Sequence, residues 1–259
     1  MILQRISKAV REQNWFAVLL EFVIVVAGVL VAFVVTDWST EKADRDRETA
    51  YLQSLLVDVE QMLADEAATD SQARDEISDL LVHMQALETC SLPDAGRMAF
   101  ERALVGHSVL PGISVVRSTF NEMVSAGALA RMRDGRLKAA IVDAFAIADE
   151  TEDYIAYFRA ELGRASMLVT NRVALRTQLG DDMTVDRLLD GGVDGFVTAD
   201  FDINTLCTDH LYRNGMIEVV DSRLDRVWAG QRFADEMTEL HGWLERRLER
   251  DPGEEGSGS

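Results

Sequence analysis

Glu21 is the residue in this sequence whose type and setting most strongly suggest chemistry. It lies inside a long apolar run, WFAVLLEFVIVVAGVLVAFVVTDW, which begins at Trp15 and ends at Trp38. If such a run crosses a bilayer, a carboxylate within it costs about 2.5–3.5 kcal/mol at the centre, so acids there usually have a function. We therefore predict that Glu21 contacts a basic or polar group of a partner, or relays a proton or ion. A tolerated acid near the lipid headgroups is the alternative.

Cysteine and histidine spacing decides whether a redox or metal site is expected. Cys90 and Cys207 are the two cysteines, and no C-x-x-C or H-E-x-x-H motif is present. Two thiols outside the cytoplasm permit one disulfide, and two unpaired, half-buried thiols are the alternative. Cys207 and His210 share a helix face by spacing, with Asp202 and Asp209 nearby, but the other histidines lie on separate elements, so we expect no metal site.

Catalytic motifs are weakly represented. The triplet Gly106-His107-Ser108 places a base beside a hydroxyl, but sequence neighbours rarely form a nucleophile–base pair. The sequence has no G-x-S-x-G motif and no phosphate-binding glycine loop. Asp190 and Asp194, in the acidic segment 180–202, lack the EF-hand pattern that binds Ca²⁺. We expect no catalytic residue and no cofactor, with an anchored hydrolase that uses the His107 loop as a minor alternative.

The apolar run predicts a transmembrane helix over residues 15–38. Roughly 20 apolar residues span the hydrocarbon core of a bilayer, and the two flanking tryptophans suit its interfaces. The run is longer than a signal-peptide core and ends without a convincing cleavage site, so we expect an uncleaved anchor. Lys and Arg residues balance closely across the run. The α-amino group favours a cytoplasmic N-terminus, which places the large domain in the periplasm of a bacterial inner-membrane protein.

Small residues within the predicted span suggest a helix–helix contact. Gly28 and Ala32 form a small-xxx-small pair, a spacing that lets helices approach closely but is also common by chance. Glu21 lies seven residues before Gly28 and therefore on the same helix face. This face predicts a protein partner or a homo-oligomer that assembles within the lipid bilayer.

Charge is distributed unevenly along the chain. The net charge is −19, and residues 1–36 contribute +1, so the remainder is strongly acidic. Such a domain repels phosphate backbones and anionic lipid, so we expect no nucleic-acid partner. Solubility is the simplest role for this charge.

Apolar spacing beyond the span predicts an all-α fold, a bundle of long and short helices without strands. Its helical domain covers residues 39–250, between a cytoplasmic tail (1–14) with the span (15–38) and a flexible tail (251–259). We predict N-caps at Asp94 and Asp134 and a capping box from Thr119 to Glu122. Predicted helices run from about 52 to 87, 95 to 105, 119 to 127, 134 to 179, 185 to 189 and 216 to 250.

Two segments of the sequence resemble a known protein family. The anchor LLEFVIVVAGVLVAFVVTDW (residues 19–38) and the stretch STFNEMVSAGALARMRDGRLKAAIVDAF (residues 118–145) resemble a family of uncharacterised bacterial single-span membrane proteins. The anchor is the more specific of the two, and together they cover under a quarter of the chain. The resemblance implies a helical domain outside the membrane and carries over no catalytic residue.

The sequence thus predicts a non-enzymatic, single-pass membrane protein whose helical domain acts through protein–protein contacts, as a scaffold or accessory subunit. A membrane-anchored sensory bundle that binds a small ligand is the alternative. Because the predicted cytoplasmic tail is too short for an output domain, such a receptor would signal through a partner. A receptor predicts a concave pocket inside the bundle, whereas a scaffold does not require one.

Overall fold

A computed structural model of the chain describes residues 15–177, residue 184 and residues 197–250, with side chains of the first helix from Leu19 onward. The chain divides into two units, residues 1–52 and 53–259. Most described residues are helical, which confirms the predicted all-α class.

The N-terminal unit consists, in its described part, of the beginning of a long helix, α1 (Trp15–Thr89). Between Leu19 and Trp38 its large apolar side chains are exposed. By length and composition, this part of α1 could cross a membrane. An uncovered apolar surface of this kind is costly in water, because burying apolar area releases about 25 cal/mol per Å².

The second unit contains the rest of α1 and the elements that follow it. A single 3₁₀ turn, Asp94–Gly96, precedes α2. The helices and strands are α2 (Arg97–Gly106), α3 (Ser118–Ser125), α4 (Ala128–Arg131), α5 (Gly135–Thr170), β1 (Ala174–Thr177), β2 (Val197–Asp200), α6 (Ile203–Leu206) and α7 (His210–Glu249).

The core of this unit lies where α1, α5 and α7 pack together with the short helices. Its apolar residues recur at helical spacing, so each long helix turns one face inward. The largest fully buried apolar side chains include Leu87, Phe100, Met123, Phe145, Tyr212 and Phe233.

Helix N-termini test the predicted caps. Asp134 caps α5 as predicted, accepting hydrogen bonds from the backbone N–H groups of residues 136 and 137. The predicted box at Thr119 is wrong, because the helix begins at Ser118 with no side-chain cap of its own. Its first turn instead donates to Asp58 of α1, which accepts from the Thr119 N–H at 3.3 Å. Asp94 is also not a cap, because it lies inside the 3₁₀ turn.

Strands β1 and β2 were not expected from the sequence. They pair antiparallel, with Ala174 opposite Asp200. Each strand has four residues, too few for an alternating pattern to appear. Helix α5 ends at Thr170 rather than at residue 179. The predicted helix at 185–189 and the aspartates at 190 and 194 lie outside the described residues.

Candidate ligand-binding cavity

The anchor residues singled out in the sequence all lie on the N-terminal part of α1. Glu21, Gly28, Ala32 and Trp38 are exposed, and of Trp15 the structure describes the helical backbone alone. A Cβ atom added at Gly28 would meet nothing within 4 Å among the described atoms. The face that carries Gly28 is therefore open for contact with a second helix or with lipid.

Cys90 and Cys207 form a disulfide bond in the structure, with their Cα atoms 5.4 Å apart. Cys90 lies directly after α1 and has a φ of 46°, a left-handed conformation that usually favours glycine. Its neighbour Ser91 donates its N–H to the Ala86 carbonyl, which closes the helix end as in a Schellman motif. The disulfide thus fixes the end of α1 against the segment that precedes α7, and Cys207 has no free thiolate for a metal.

A cavity of about 400 Å³ opens between three helices of the second unit. Its walls are residues 72–80 of α1, residues 102–106 of α2, His107 and Arg223 of α7. Apolar side chains such as Leu80 and Ala103 alternate in these walls with acids and cations. Ligand pockets combine these features: a concave shape, a mostly apolar lining and a few polar groups.

Arg223 is the most unusual residue in the cavity wall, because its charged side chain is 98% buried (2% exposed). Its Nη2 donates to the Gly106 carbonyl at 2.9 Å, and its Nε lies 3.4 Å from Glu76 Oε2. Its Nη1 and Nε, and Oε2 of Glu76, are buried with no hydrogen-bond partner among the described residues. Burial lowers the pKa of Arg223, the nearby Glu76 carboxylate opposes that change, and Arg226 adds to it. A buried donor without an acceptor is destabilising, so the site is incomplete as it stands.

The acidic side of the cavity lies on α1. Asp79 accepts two hydrogen bonds from Arg102, at 2.7 and 2.8 Å, and these two charges compensate each other. Glu76 accepts from the Gln72 amide at 3.0 Å through Oε1. Asp75 is exposed and makes no hydrogen bond or ion pair with any described residue. The cavity thus has a buried cation in one wall and an unpaired carboxylate in another.

One turn along α7, Arg226 provides a contrasting case. It is fully buried, and its Nη1 and Nη2 donate to the two carboxylate oxygens of Glu66 at 2.6 and 3.0 Å. Arg226 also donates to the carbonyls of Pro111 and Gly112. Gly230 lies so close that an added Cβ would overlap Glu66 Oε1 and Arg226 Nη1. This paired arrangement holds the loop between α2 and α3 (residues 107–117), whereas Arg223 has donors without an acceptor.

His107 also lines the cavity, and both nitrogens of its imidazole lie within hydrogen-bond distance of protein groups. Nδ1 donates to the Leu104 carbonyl, and Nε2 accepts from the Ser166 hydroxyl at 3.0 Å. Burial is the main cause that lowers the pKa of His107. A serine within reach of a histidine can act as a nucleophile, but an orienting carboxylate normally holds the base. Here a backbone carbonyl takes that position, so we interpret the Ser166–His107 hydrogen bond as a structural contact that holds the residue after α2 against α5.

His83 is a second buried histidine, next to the disulfide end of the bundle. Nδ1 donates to the Phe100 carbonyl at 3.3 Å, and Nε2 accepts from the Tyr212 hydroxyl at 2.8 Å. Burial lowers the pKa of His83 to about 4, against a smaller opposing effect of the Phe100 carbonyl and with a small further lowering by His107. The folded protein therefore keeps this imidazole uncharged at neutral pH.

This depressed pKa predicts a loss of stability in mild acid. The contribution of neutral His83 to the free energy of unfolding is complete above the unfolded pKa of about 6.5. It falls as the pH falls, because the unfolded chain takes up the proton first. The loss reaches about 3 kcal/mol near pH 4. Between pH 7 and 5 we expect a loss of about 2 kcal/mol, measured by urea unfolding of the full-length chain in detergent. His83→Gln, which keeps a donor and an acceptor, should remove most of this slope. An unchanged slope in that variant would contradict the assignment.

Sequence reasoning did not identify Arg223, Arg226 or Glu66 as a functional group. Helical spacing of apolar residues predicts that Leu224 and Trp228 lie on the buried side of the last helix, whereas the structure exposes them by 50% and 55%. The inward face of this half of α7 carries arginines and glycines, so hydrophobic periodicity selected the wrong face. One signal was present: Glu66 occupies a seam position between apolar residues, where an acid requires a buried cation.

The fold and the cavity define a helical-bundle protein with one candidate membrane-spanning segment among its described residues and a ligand-sized pocket. In comparisons with known proteins, no family model, no curated protein and no solved structure matches the chain. The resemblance noted for residues 19–38 and 118–145 therefore stays a prediction.

Proposed function

We propose that this chain is a non-enzymatic, membrane-anchored sensory protein whose helical domain binds a small ligand in the cavity between α1, α2 and α7. The observation that carries this proposal is Arg223, a buried cation in the cavity wall with an unused donor. Ligand binding would signal through a partner protein of the membrane helix. The function is thus the sensory alternative considered from the sequence, favoured over a scaffold by the cavity.

Two features support the location outside the cytoplasm. The exposed apolar side chains from Leu19 to Trp38 suit a single span in a bacterial inner membrane, with the N-terminus in the cytoplasm. The bond between Cys90 and Cys207 suits an oxidising compartment such as the periplasm, because cytosolic thiols are kept reduced. In this arrangement Glu21, Gly28 and Ala32 form the face that contacts the signalling partner.

Arg223 supports the ligand-binding proposal because burying its charge is costly. Its contacts stabilise the fold less than those of Arg226 do. Arg226 joins Glu66 and two loop carbonyls, whereas Arg223 makes one backbone hydrogen bond and a long ion pair. Proteins retain costly groups of this kind at functional sites and offset the cost elsewhere.

A second candidate, the scaffold, is favoured by an exposed aromatic patch, which we define as Tyr154, Tyr157, Phe158 and Trp228. Tyr157 and Trp228 are 59% and 55% exposed, and the Tyr154 and Trp228 ring centroids are 5.9 Å apart. Tyr154 also donates to Asp225 at 3.3 Å, so an acid borders the patch. This chemistry suits a basic segment of a partner protein, through cation–π contacts and an ion pair.

Thermal unfolding of the full-length chain in detergent tests the sensory proposal. We expect at least one compound from a panel of amino acids, dicarboxylates, sugars and polyamines to raise the melting temperature by about 2 °C or more. Arg223→Met should abolish the rise. The matched control is Arg232→Met, also on α7, where Arg232 pairs with Glu150 away from the cavity walls.

Two results would refute the proposal. The first is that no compound of any class stabilises the wild-type chain. The second is that the melting temperature of Arg223→Met rises with the compound as much as that of Arg232→Met. A basic peptide that binds the wild-type chain, and loses binding in Trp228→Ala, would instead support the scaffold.

A further inference from the structure

We infer that the cavity ligand is a zwitterionic α-amino acid, with its carboxylate at Arg223 and its ammonium group at Asp75. This inference rests on the proposed ligand-binding function and adds the chemical class of the ligand. It follows from the placement of the charges in the cavity walls.

Arg223 selects for a carboxylate. Its Nη1 lacks an acceptor, Nε makes only the 3.4 Å ion pair with Glu76, and Nη2 donates to the Gly106 carbonyl. A carboxylate supplies two acceptor oxygens, and guanidinium groups bind carboxylates in a charge-assisted geometry. Because Nη1 is itself buried, a small adjustment of the cavity wall accompanies binding.

The wall formed by α1 selects for an ammonium group. Among the charged groups that line the cavity, Arg102 and Asp79 compensate each other, and Glu76 lies beside Arg223. The carboxylate of Asp75 then remains without a partner among the described residues. An anion alone would leave the exposed Asp75 carboxylate with water as its partner, and an amine alone would leave the buried Nη1 of Arg223 without an acceptor. A ligand that carries both charges satisfies both walls.

The apolar lining of the cavity and its volume limit the side chain that the amino-acid ligand can carry. Leu80, Ala103 and Val105 give the cavity an apolar portion, and its volume is about 400 Å³. An aliphatic or aromatic side chain fits this portion and gains from burial. We therefore choose L-leucine and L-phenylalanine as probes.

Binding to the full-length chain in detergent, measured by isothermal titration calorimetry, tests the inference. L-leucine should bind at least about tenfold more tightly than 4-methylpentanoate, which lacks the ammonium group, or 3-methylbutylamine, which lacks the carboxylate. Asp75→Asn should weaken leucine binding about tenfold without weakening the binding of 4-methylpentanoate, which has no ammonium group. Because Asp75 is exposed and unpaired, this variant should fold normally.

The outcomes separate the inference from the function on which it rests. Equal affinity for leucine and 4-methylpentanoate, or for leucine and the amine, overturns the zwitterion. Suppose that neither leucine nor phenylalanine binds, while another class of compound stabilises the wild-type chain but not Arg223→Met. This result overturns the inference and leaves the proposed function standing. Failure of every compound overturns both.

Discussion

Arg226→Met should destabilise the second unit by about 3–5 kcal/mol, because it leaves the carboxylate of Glu66 buried without its cation. Glu66 is 3% exposed, so water cannot readily replace the two lost hydrogen bonds. The carbonyls of Pro111 and Gly112 also lose their donor. A loss of this size is a large share of the 5–15 kcal/mol that holds a typical domain together. Urea unfolding of the full-length chain in detergent, followed by circular dichroism, measures it.

The control for this prediction is the double variant Glu66→Leu with Arg226→Met. Replacing both charges by apolar side chains of similar size removes the desolvation cost together with the attraction, and is often neutral. We therefore expect the double variant to recover most of the loss. Gly230→Ala should also destabilise, since its Cβ would overlap both charged groups. A cost below about 1 kcal/mol for Arg226→Met would show that the pair contributes no more than an exposed salt bridge.

Reduction of the Cys90–Cys207 bond should cost about 2–5 kcal/mol. The cross-link joins residues 117 positions apart, and long closed loops lose the most conformational entropy in the unfolded chain, about 4.7 kcal/mol for a 100-residue loop in the chain-entropy model. Comparing the urea unfolding of oxidised chain with that of chain held in dithiothreitol measures the effect.

Two variants without the disulfide separate the cross-link from the conformation of Cys90. Both carry Cys207→Ser, and residue 90 is serine in one and glycine in the other. Because residue 90 has a φ of 46°, the glycine variant should be more stable by about 1 kcal/mol. If reduction leaves the unfolding midpoint unchanged, the bond does not constrain the fold and its support for an oxidising compartment is lost.

Helical periodicity and capping chemistry made much of the fold predictable. The apolar spacing of α1 and α5 and the Asp134 cap are local signals, and the structure agrees with them. The cap of α3 was not predictable, because the carboxylate comes from Asp58, sixty-one positions before Thr119. A sequence shows which residues can cap but not which distant residue arrives at a helix end.

The cavity was hidden from the sequence for a related reason. Its walls come from α1, α2 and α7, and the spacing between Glu76 and Arg223 carries no motif. Periodicity assumes that buried residues are apolar, and the inward face of α7 contradicts this where Arg223 and Arg226 replace apolar side chains. An arginine at a position of inward helical phase is therefore the signal to look for, together with an acid at a seam position such as Glu66.

The stability of Arg223→Met without ligand tests most directly whether the charge of Arg223 serves binding rather than folding. The variant loses one hydrogen bond to Gly106 and the 3.4 Å ion pair with Glu76, but it relieves buried donors that have no acceptor. We predict an unfolding free energy within about 1 kcal/mol of the wild-type chain, or above it, under the conditions used for Arg226→Met. A loss of 3 kcal/mol or more, matching that expected for Arg226→Met at about 3–5 kcal/mol, would contradict the account, because Arg223 would then be a structural residue.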